Sequence, residues 1–226
     1  FNSSLVGYWR FEDDGDANAS DFTSYNNNGT LVGFGCLAAD CNLSGTGFTS
    51  SGKRGKAIRF TGINDTINIS ITETSSLNIS GTAVTIEAWV NPAISTMGDS
   101  TWTMIRAGGA SGVIASYLLE LGDCGNNLMS FLVGNSSSSG VVCSTTALPK
   151  DAWSHVVGTY NGSNITIYIN GVRENSTGKV GNIRTPIPAT LSIGAFLPLN
   201  EQFNGSIDEV KIWNRALSAD EINASY

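Results

Sequence analysis

The stretch WSHVVGTYNGSNITIYING, residues 153–171, decides the fold class of this chain. Side chains alternate between two faces along Trp153–Tyr160, and they alternate again along Ile165–Ile169, where isoleucine holds every second position. A period of two is the pattern of a β-strand that is buried on one side. The polar triplet Asn161–Ser163 lies between the two halves. The stretch therefore predicts an antiparallel β-hairpin with a short turn.

Short alternating segments of the same kind occur along most of the chain. They are Leu5–Phe11, Ala57–Phe60, Thr66–Ile71, Val84–Asn91, Trp102–Arg106, Val113–Leu121, Leu128–Val133, Val141–Thr145, Thr190–Gly194 and Gly205–Trp213. The one helix expected follows Ser218, because Glu221 stands three residues later, as a capping box requires. About a dozen short strands predict an all-β protein with two stacked antiparallel sheets. We expect residues 1–226 to form one domain.

Composition and charge narrow the classes of partner. The chain has 226 residues, 41% hydrophobic and 14% charged, with a formal net charge of −7. Nucleic-acid binding needs clustered lysine and arginine, so we expect no nucleic-acid partner. No apolar run approaches the length of a transmembrane helix, so no membrane span is expected.

The four cysteines fall into two local pairs in the sequence. Four cysteines can be connected in three ways. The connectivity that closes two short loops is favoured, and it joins Cys36 to Cys41 and Cys124 to Cys143. Four free thiols in a reducing compartment are the alternative. A metal site is less favoured, because the sequence holds one histidine, His155, and no Cys-x-x-Cys.

Acceptor triplets for N-glycosylation, Asn-x-Ser/Thr, are unusually frequent. They begin at Asn2, Asn18, Asn28, Asn42, Asn64, Asn68, Asn78, Asn135, Asn161, Asn164, Asn175, Asn204 and Asn223. Several lie in segments that read as turns, where an acceptor is exposed. Together with the paired cysteines they predict an extracellular or cell-surface glycoprotein, and a polar β-protein without glycans is the alternative.

Six stretches in this order resemble the laminin-G-like domains of the concanavalin A-like lectin and glucanase superfamily. They are LVGYWRFEDD (5–14), DFTSYNNNGTLVG (21–33), GKAIRFTG (55–62), VTIEAWVNP (84–92), WSHVVGTYNGSNITIYINGV (153–172) and FNGSIDEVKIWNRALSADEI (203–222). The resemblance implies a two-sheet antiparallel jelly-roll sandwich whose first and last strands lie side by side. A fold of such functional breadth does not name a ligand.

The resemblance also implies a structural calcium ion near the paired terminal strands. Oxygen ligands for it are offered by Asp208, Glu12, Asn28 and Asp21, in that order of preference. Solvated acidic turns are the alternative. Asn28 is both a glycan acceptor and a candidate ligand, and it can hardly serve as both.

Catalysis is not expected. Glucanases of the superfamily place acids at i, i+2 and i+4 of one strand, whereas Glu120 and Asp123 stand three residues apart and face opposite sides. Glu87 and Glu120 can meet only across strands, and pairing of such an acid with Arg106 or Tyr117 is favoured. His155 is expected to be a hydrogen-bonded core residue.

We therefore expect a non-catalytic recognition or adhesion module for glycans or surface glycoproteins. Its variable contacts are expected in the loops 93–101, 107–112, 134–140 and 195–203, because loops carry function on a rigid sandwich. The alternative is a self-assembling subunit of a glycosylated filament or sheath. That alternative rests on the apolar segment Ile183–Leu199, whose prolines suggest an edge or an exposed loop.

Overall fold

The computed structural model describes residues 3–13, 17–34, 47–93, 101–109, 115–125, 127–185, 188–196 and 201–226. Its strands in the first half of the chain are β1 Leu5–Trp9, β2 Asn18–Ala19, β3 Gly29–Val32, β4 Gly47–Thr49, β5 Ala57–Thr61, β6 Thr66–Ile71, β7 Val84–Pro92 and β8 Trp102–Gly108. Those that follow are β9 Tyr117–Leu121, β10 Leu128–Gly134, β11 Ser139–Ala147, β12 Ser154–Tyr160, β13 Asn164–Ile169, β14 Val172–Gly178, β15 Ala189–Ile193, β16 Ala195–Phe196, β17 Glu201–Gln202 and β18 Asn204–Trp213. The helix α1 spans Ala219–Ser225.

Two antiparallel eight-stranded sheets form a sandwich. Sheet A has the order β14-β13-β12-β7-β18-β5-β4, with β1 also paired to β18, and sheet B has the order β11-β10-β9-β8-β15-β6-β3-β2. The pairing of β1 with β18 places the first strand beside the last, with Trp9 opposite Val210. The predicted jelly-roll sandwich is confirmed.

The core lies between the two sheets and is built from the alternating positions that the sequence marked. Ile165 and Ile167 of the quoted hairpin are fully buried in it, as are Trp9 and Phe60. At the centre, Gly158 of sheet A lies directly against the ring of Phe131 in sheet B, and a Cβ there would lie 2.3 Å from Phe131 Cγ. Glycine is needed at this position because the ring occupies the space of a side chain.

The helix α1 covers part of the outer face of sheet A. Ser218 caps it, and both hydrogen bonds of the capping box with Glu221 form, as predicted. Ile222 and Leu217 pack on Val157 and Trp213 of the sheet, which makes a second, small apolar cluster. Within the described ranges, no helix is long and apolar enough to span a bilayer.

The interpretation of Ile183–Leu199 as an edge or an exposed loop is wrong for its central part. Residues Ala189–Ile193 form β15, which pairs with β8 on one side and β6 on the other and buries Leu191 and Ile193 completely. The prolines suggested an edge or a loop, but in the sequence they flank the strand and do not interrupt it. Pro186 and Pro198 lie outside the described residues, and Pro188 immediately precedes the strand. The described apolar residues of the strand serve the core, so this central part of the segment gives no support to self-assembly.

Candidate functional site

A cleft of about 400 Å³ opens on the outer face of sheet B, above the adjacent strands β6, β15 and β8. Pockets of 300–1,000 Å³ are the usual size for small-molecule sites. The residues that line it include Thr66, Asn68, Ala189, Thr190, Ser192 and Phe196.

The alternation of two strands creates the polar wall of the cleft. In β6 the isoleucines at 67, 69 and 71 enter the core, so Thr66 and Asn68 face outward. In β15 Leu191 and Ile193 enter the core, so Ser192 faces outward beside Asn68, its cross-strand partner. The same alternation that builds the sandwich therefore places a row of hydroxyl and amide groups along the cleft, in which Asn68 is half-buried and Thr66 and Ser192 are buried.

Asn68 is held in place by its neighbours in the cleft. Its Oδ1 atom accepts hydrogen bonds from Thr66 Oγ1 at 3.3 Å and from Ser192 Oγ at 3.3 Å. Both bonds engage the carbonyl oxygen of the amide, so they fix the side chain without using its Nδ2 group.

The Phe196 ring forms the apolar end of the cleft, and the guanidinium group of Arg106 lies over that ring. The Arg106 Cζ atom lies 3.6 Å from the centroid of the Phe196 ring, which is a close cation–π contact. Arg106 Nη1 also donates to the Gly109 carbonyl at 3.3 Å. Burial lowers the pKa of Arg106 below its usual value, and the carboxylates of Glu201 and Glu120 oppose that shift.

Two glutamates accompany this arginine. Thr103 Oγ1 donates to Glu201 Oε2 at 2.8 Å, and Thr103 stands directly opposite Glu120 in the pairing of β8 with β9. Burial, together with Asp123 and Glu201, raises the pKa of Glu120 to about 8. Near neutral pH Glu120 is therefore largely protonated, whereas Arg106 keeps its charge beside Glu201.

The structure separates Glu87 from Glu120, because they belong to different sheets. One of these acids was expected to pair with Arg106 or Tyr117. Glu120 interacts electrostatically with Arg106, whereas Glu87 has Lys211 and His155 as its partners. Glu87 is fully buried under α1, where Lys211 Nζ lies 2.7 Å and His155 Nε2 lies 3.4 Å from its Oε1 atom. Lysine at 211 reaches Glu87 because both residues face outward on adjacent strands of sheet A.

The candidate metal ligands fall into two groups. Asp208 is fully buried, and its Oδ2 atom accepts from the Arg54 backbone N–H at 2.9 Å, while Glu12 Oε1 accepts from the Lys56 N–H at 3.1 Å. These two carboxylates thus approach one loop. Burial is the main cause that raises the pKa of Asp208 to about 7. No Lys or Arg side chain of the described ranges forms an ion pair with Asp208.

The other two candidates are committed to hydrogen bonds within the protein. The Asp21 carboxylate accepts four: from the N–H groups of Tyr8, Thr23 and Asn27 and from the Thr23 hydroxyl. A carboxylate has about four acceptor sites, so none remains for an ion. Asn28 Oδ1 accepts from the Asp21 N–H at 2.8 Å. In the part of the chain that the structure describes, no three His, Cys, Asp or Glu residues gather as a metal cluster.

The glycan acceptors and cysteines are placed as follows. None of the eleven described acceptor asparagines is buried, and seven are exposed: Asn18, Asn28, Asn64, Asn161, Asn164, Asn175 and Asn223. Asn68, Asn78, Asn135 and Asn204 are half-buried. Asn2 and Asn42 lie outside the described residues.

Of the two predicted cysteine pairs, Cys124 and Cys143 are joined by a disulfide. Cys36 and Cys41 lie outside the described residues.

The sequence predicted the loop residues of the cleft and not its strand residues. The loops 107–112 and 195–203 were expected to carry recognition, and their described residues Gly108, Gly109, Ala195 and Phe196 do line it. The polar wall on β6 and β15 was missed. Its signal was present in the sequence as Thr, Asn and Ser at the outward positions of two strands with isoleucine or leucine between them.

Comparison with known proteins gives the following similarities. A family model described as the concanavalin A-like lectin/glucanases superfamily matches residues 61–223. Domain 4 of AbnA, a GH43 extracellular arabinanase from Geobacillus stearothermophilus solved with arabinotriose, is 22% identical, with 98% of this chain and 97% of that chain covered and a TM-score of 0.69. A search of curated proteins gives no significant match.

Toxin binding domains share the fold as well. That of Paraclostridial Mosquitocidal Protein 1 is 18% identical with a TM-score of 0.74, and the alignment covers 98% of this chain and 51% of that chain. The Botulinum neurotoxin DC binding domain, solved with SialylT, is 16% identical with a TM-score of 0.66, covering 99% and 51%. This chain thus spans about half the length of these toxin domains, and at such identities the likeness establishes the fold.

Proposed function

Because the chain belongs to the concanavalin A-like lectin/glucanases superfamily, we propose that it is a non-catalytic module that binds a neutral glycan in the cleft of sheet B. The cleft itself is the observation that carries the proposal. It combines a polar wall of Thr66, Asn68 and Ser192 with an apolar end at Phe196. Sugars present hydroxyl groups on their rim and C–H groups on their faces, which such a lining matches.

The charge around the cleft favours a neutral glycan over an acidic one. Its wall carries uncharged hydroxyl and amide groups, and the charge of the nearby cation, Arg106, is opposed by the Glu201 carboxylate. A sialic acid or uronic acid would need an arginine or lysine free to pair with its carboxylate. The arabinanase domain was solved with arabinotriose, a neutral sugar. The shared fold does not select the class, because a toxin binding domain with the same fold was solved with SialylT, so the preference for a neutral glycan rests on the charges around the cleft.

The test is titration calorimetry with neutral oligosaccharides, beginning with arabino-oligosaccharides, and with sialylated and uronic-acid oligosaccharides for comparison. We expect binding of a neutral sugar only. Ser192→Ala removes a hydroxyl of the wall, and loss of one hydrogen bond should weaken binding about tenfold. Thr177→Ala, on the exposed strand β14 of the other sheet, is the matched control and should bind as the parent does. Equal affinity of both variants would place the ligand elsewhere, and binding of acidic sugars alone would contradict the proposed class.

We further propose that one calcium ion is held by Asp208 and Glu12 with carbonyl groups of the loop 52–56. Two carboxylates reach this loop, and Asp208 is buried without a basic partner among the described residues, a costly arrangement that a bound cation would relieve. Asp21 does not fit the ion, since its four acceptor sites are filled, and the Asn28 carbonyl oxygen is directed to the Asp21 N–H group and not to the loop 52–56. A calcium ion would contribute stability here and no chemistry.

Removal of calcium by a chelator should therefore lower the melting temperature, and Asp208→Asn should abolish that response. Asp21→Asn is the control, because it breaks a hydrogen-bonded turn and should reduce stability while the response to chelator remains. A parent protein that melts at the same temperature with and without chelator would contradict the calcium site.

We also propose that residues 1–226 form one domain of an extracellular or cell-surface glycoprotein. The exposure of the described acceptor asparagines supports this, because glycosylation requires accessible side chains. Residues 1–226 secreted from a glycosylating host should have an intact mass above the 23.7 kDa of the bare chain. A mass equal to that value would contradict the proposal.

A further inference from the structure

We infer that Asn68 is an N-glycosylation site whose occupancy closes the cleft to external glycans; the inference rests on the proposed function of that cleft. Asn68 is at once a residue of the cleft wall and the acceptor of the triplet Asn68-Ile69-Ser70. Modification and ligand binding therefore compete for one place on the surface.

Asn68 differs from the other described acceptors in its position. It lies inside β6, which is paired on both sides, with Ser192 of β15 opposite it on one side and Thr30 of β3 on the other. The other described acceptors lie in turns, at strand ends, on short or edge strands, or on α1. A glycan on those residues would extend away from the cleft, whereas one on Asn68 would start from the cleft wall.

The hydrogen bonds of Asn68 are compatible with the modification. N-glycosylation joins Nδ2 to the anomeric carbon of an oligosaccharide activated by a phosphate leaving group. The bond from that carbon to the phosphate oxygen breaks, and Nδ2 loses one proton. The Oδ1 atom is unchanged, so its bonds to Thr66 and Ser192 persist. Those two bonds then fix the first sugar of the attached glycan within the cleft.

A tethered glycan would exclude a free one even if each had the same intrinsic affinity. A group linked close to its site has an effective concentration in the millimolar range or higher, which exceeds the concentration of most free oligosaccharides.

Glycosylation of Asn68 must occur before the sheet forms. Once β6 is paired on both sides, an enzyme cannot bind residues 68–70 in an extended form, so modification must precede folding. The protein therefore exists as two stable populations, one unglycosylated at Asn68 with an open cleft and one glycosylated with a closed cleft.

The experiment separates the loss of the glycan from the loss of the asparagine. The chain is secreted from a glycosylating host, Asn68 occupancy is measured by glycopeptide mass spectrometry, and the neutral oligosaccharides named above are titrated. Ser70→Ala destroys the acceptor triplet and leaves the Asn68 amide in the cleft. Asn64→Gln is the matched control, because it removes a neighbouring acceptor in an exposed turn.

We expect Asn68 to be occupied in the parent, binding to be at least tenfold weaker in the occupied form than in Ser70→Ala, and Asn64→Gln to behave as the parent. An unoccupied Asn68, or an occupied form that binds as tightly as Ser70→Ala, would overturn this inference alone. If neither Ser70→Ala nor the unglycosylated protein from a bacterial host binds any oligosaccharide, the proposed function fails, and this inference fails with it.

Discussion

At the scale of single residues, Glu120 shows how burial on the outer face of a sheet controls a charge. It is 5% exposed and lies near Asp123 and Glu201, and these causes raise its pKa to about 8. A carboxyl group whose pKa is higher in the folded state stabilises the fold fully below its unfolded value of about 4.5, and that contribution is lost as the pH rises through about 8.

Glu120→Gln should therefore remove a pH-dependent loss of stability. The substitution keeps the shape of the side chain and cannot ionise, so the variant should become more stable relative to the parent between pH 5 and pH 8. The difference should reach about 4 kcal/mol at the upper end. Urea unfolding at several pH values measures it, with Glu73→Gln, an exposed loop residue, as the control. Parallel pH profiles for parent and Glu120→Gln would contradict the prediction.

Gly158 gives a second residue-scale prediction, on packing. A Cβ at this position would lie 2.3 Å from Phe131 Cγ, so Gly158→Ala forces the ring or the strand to move. Overpacking of this kind typically costs about 1–3 kcal/mol. Urea unfolding should show that loss, and adding Phe131→Leu should recover part of it because the smaller side chain vacates the space. If Gly158→Ala is as stable as the parent, the close approach of the two sheets is not as described.

At the scale of elements, one glutamate joins the two sheets along an edge. The Glu174 carboxylate of β14 in sheet A accepts hydrogen bonds from the N–H and hydroxyl groups of Thr145 and Thr146 in β11 of sheet B. These bonds satisfy N–H groups that an edge strand would otherwise present to solvent.

Glu174→Gln should loosen this edge. One accepting oxygen becomes a donating NH₂ group and the negative charge is lost. Oε2 accepts three of the four bonds and Oε1 accepts one, so the bond at Oε1 is lost and the three at Oε2 lose their charge assistance, at a net cost of about 1 kcal/mol. Hydrogen exchange should accelerate at the amides of Thr145 and Thr146 and remain unchanged at the centre of sheet A. Arg173→Gln, at the exposed neighbouring position, is the control. Uniform acceleration across both sheets would show a global effect instead.

The strands that the sequence predicted well are those with one buried face. Thr66–Ile71 matches β6, and Val84–Asn91 differs from β7 by one residue, because alternation of apolar residues reports burial directly. The strand β14 was missed since its sequence VRENSTG is polar on both sides. Its place is set by pairing with β13 and by Glu174, which are long-range contacts that no local pattern reveals.

At the scale of the whole molecule, the cleft and the candidate calcium site were predictable to different degrees. Asp208 and Glu12 were chosen by resemblance, and the structure brings both to one loop although they are far apart in sequence. Asp21 has the same chemistry, yet its hydrogen bonds to Tyr8, Thr23 and Asn27 show a structural role. Composition cannot separate these cases, because the difference lies in which N–H groups surround each carboxylate.

The Cys124–Cys143 disulfide is the covalent link expected to matter most for global stability. It ties the turn after β9 to β11 across a sequence separation of 19 residues. In the chain-entropy model a loop of this length contributes about 3 kcal/mol, by restricting the unfolded chain. Replacement of both cysteines by serine should therefore lower the melting temperature by roughly 6–12 °C for a domain of this size.

The cysteines at 36 and 41 supply the comparison, because a pairing between them would close a much shorter loop. The same model gives about 2 kcal/mol for that loop, so serine at both positions should lower the melting temperature less than serine at 124 and 143. Calorimetry of the two double variants under non-reducing conditions measures both effects. Reduction of the parent should lower the melting temperature at least as much as serine at 124 and 143. If the variant lacking Cys124 and Cys143 melts with the parent, the unfolded chain gains no freedom from the lost bond, and the entropic account of this disulfide is wrong.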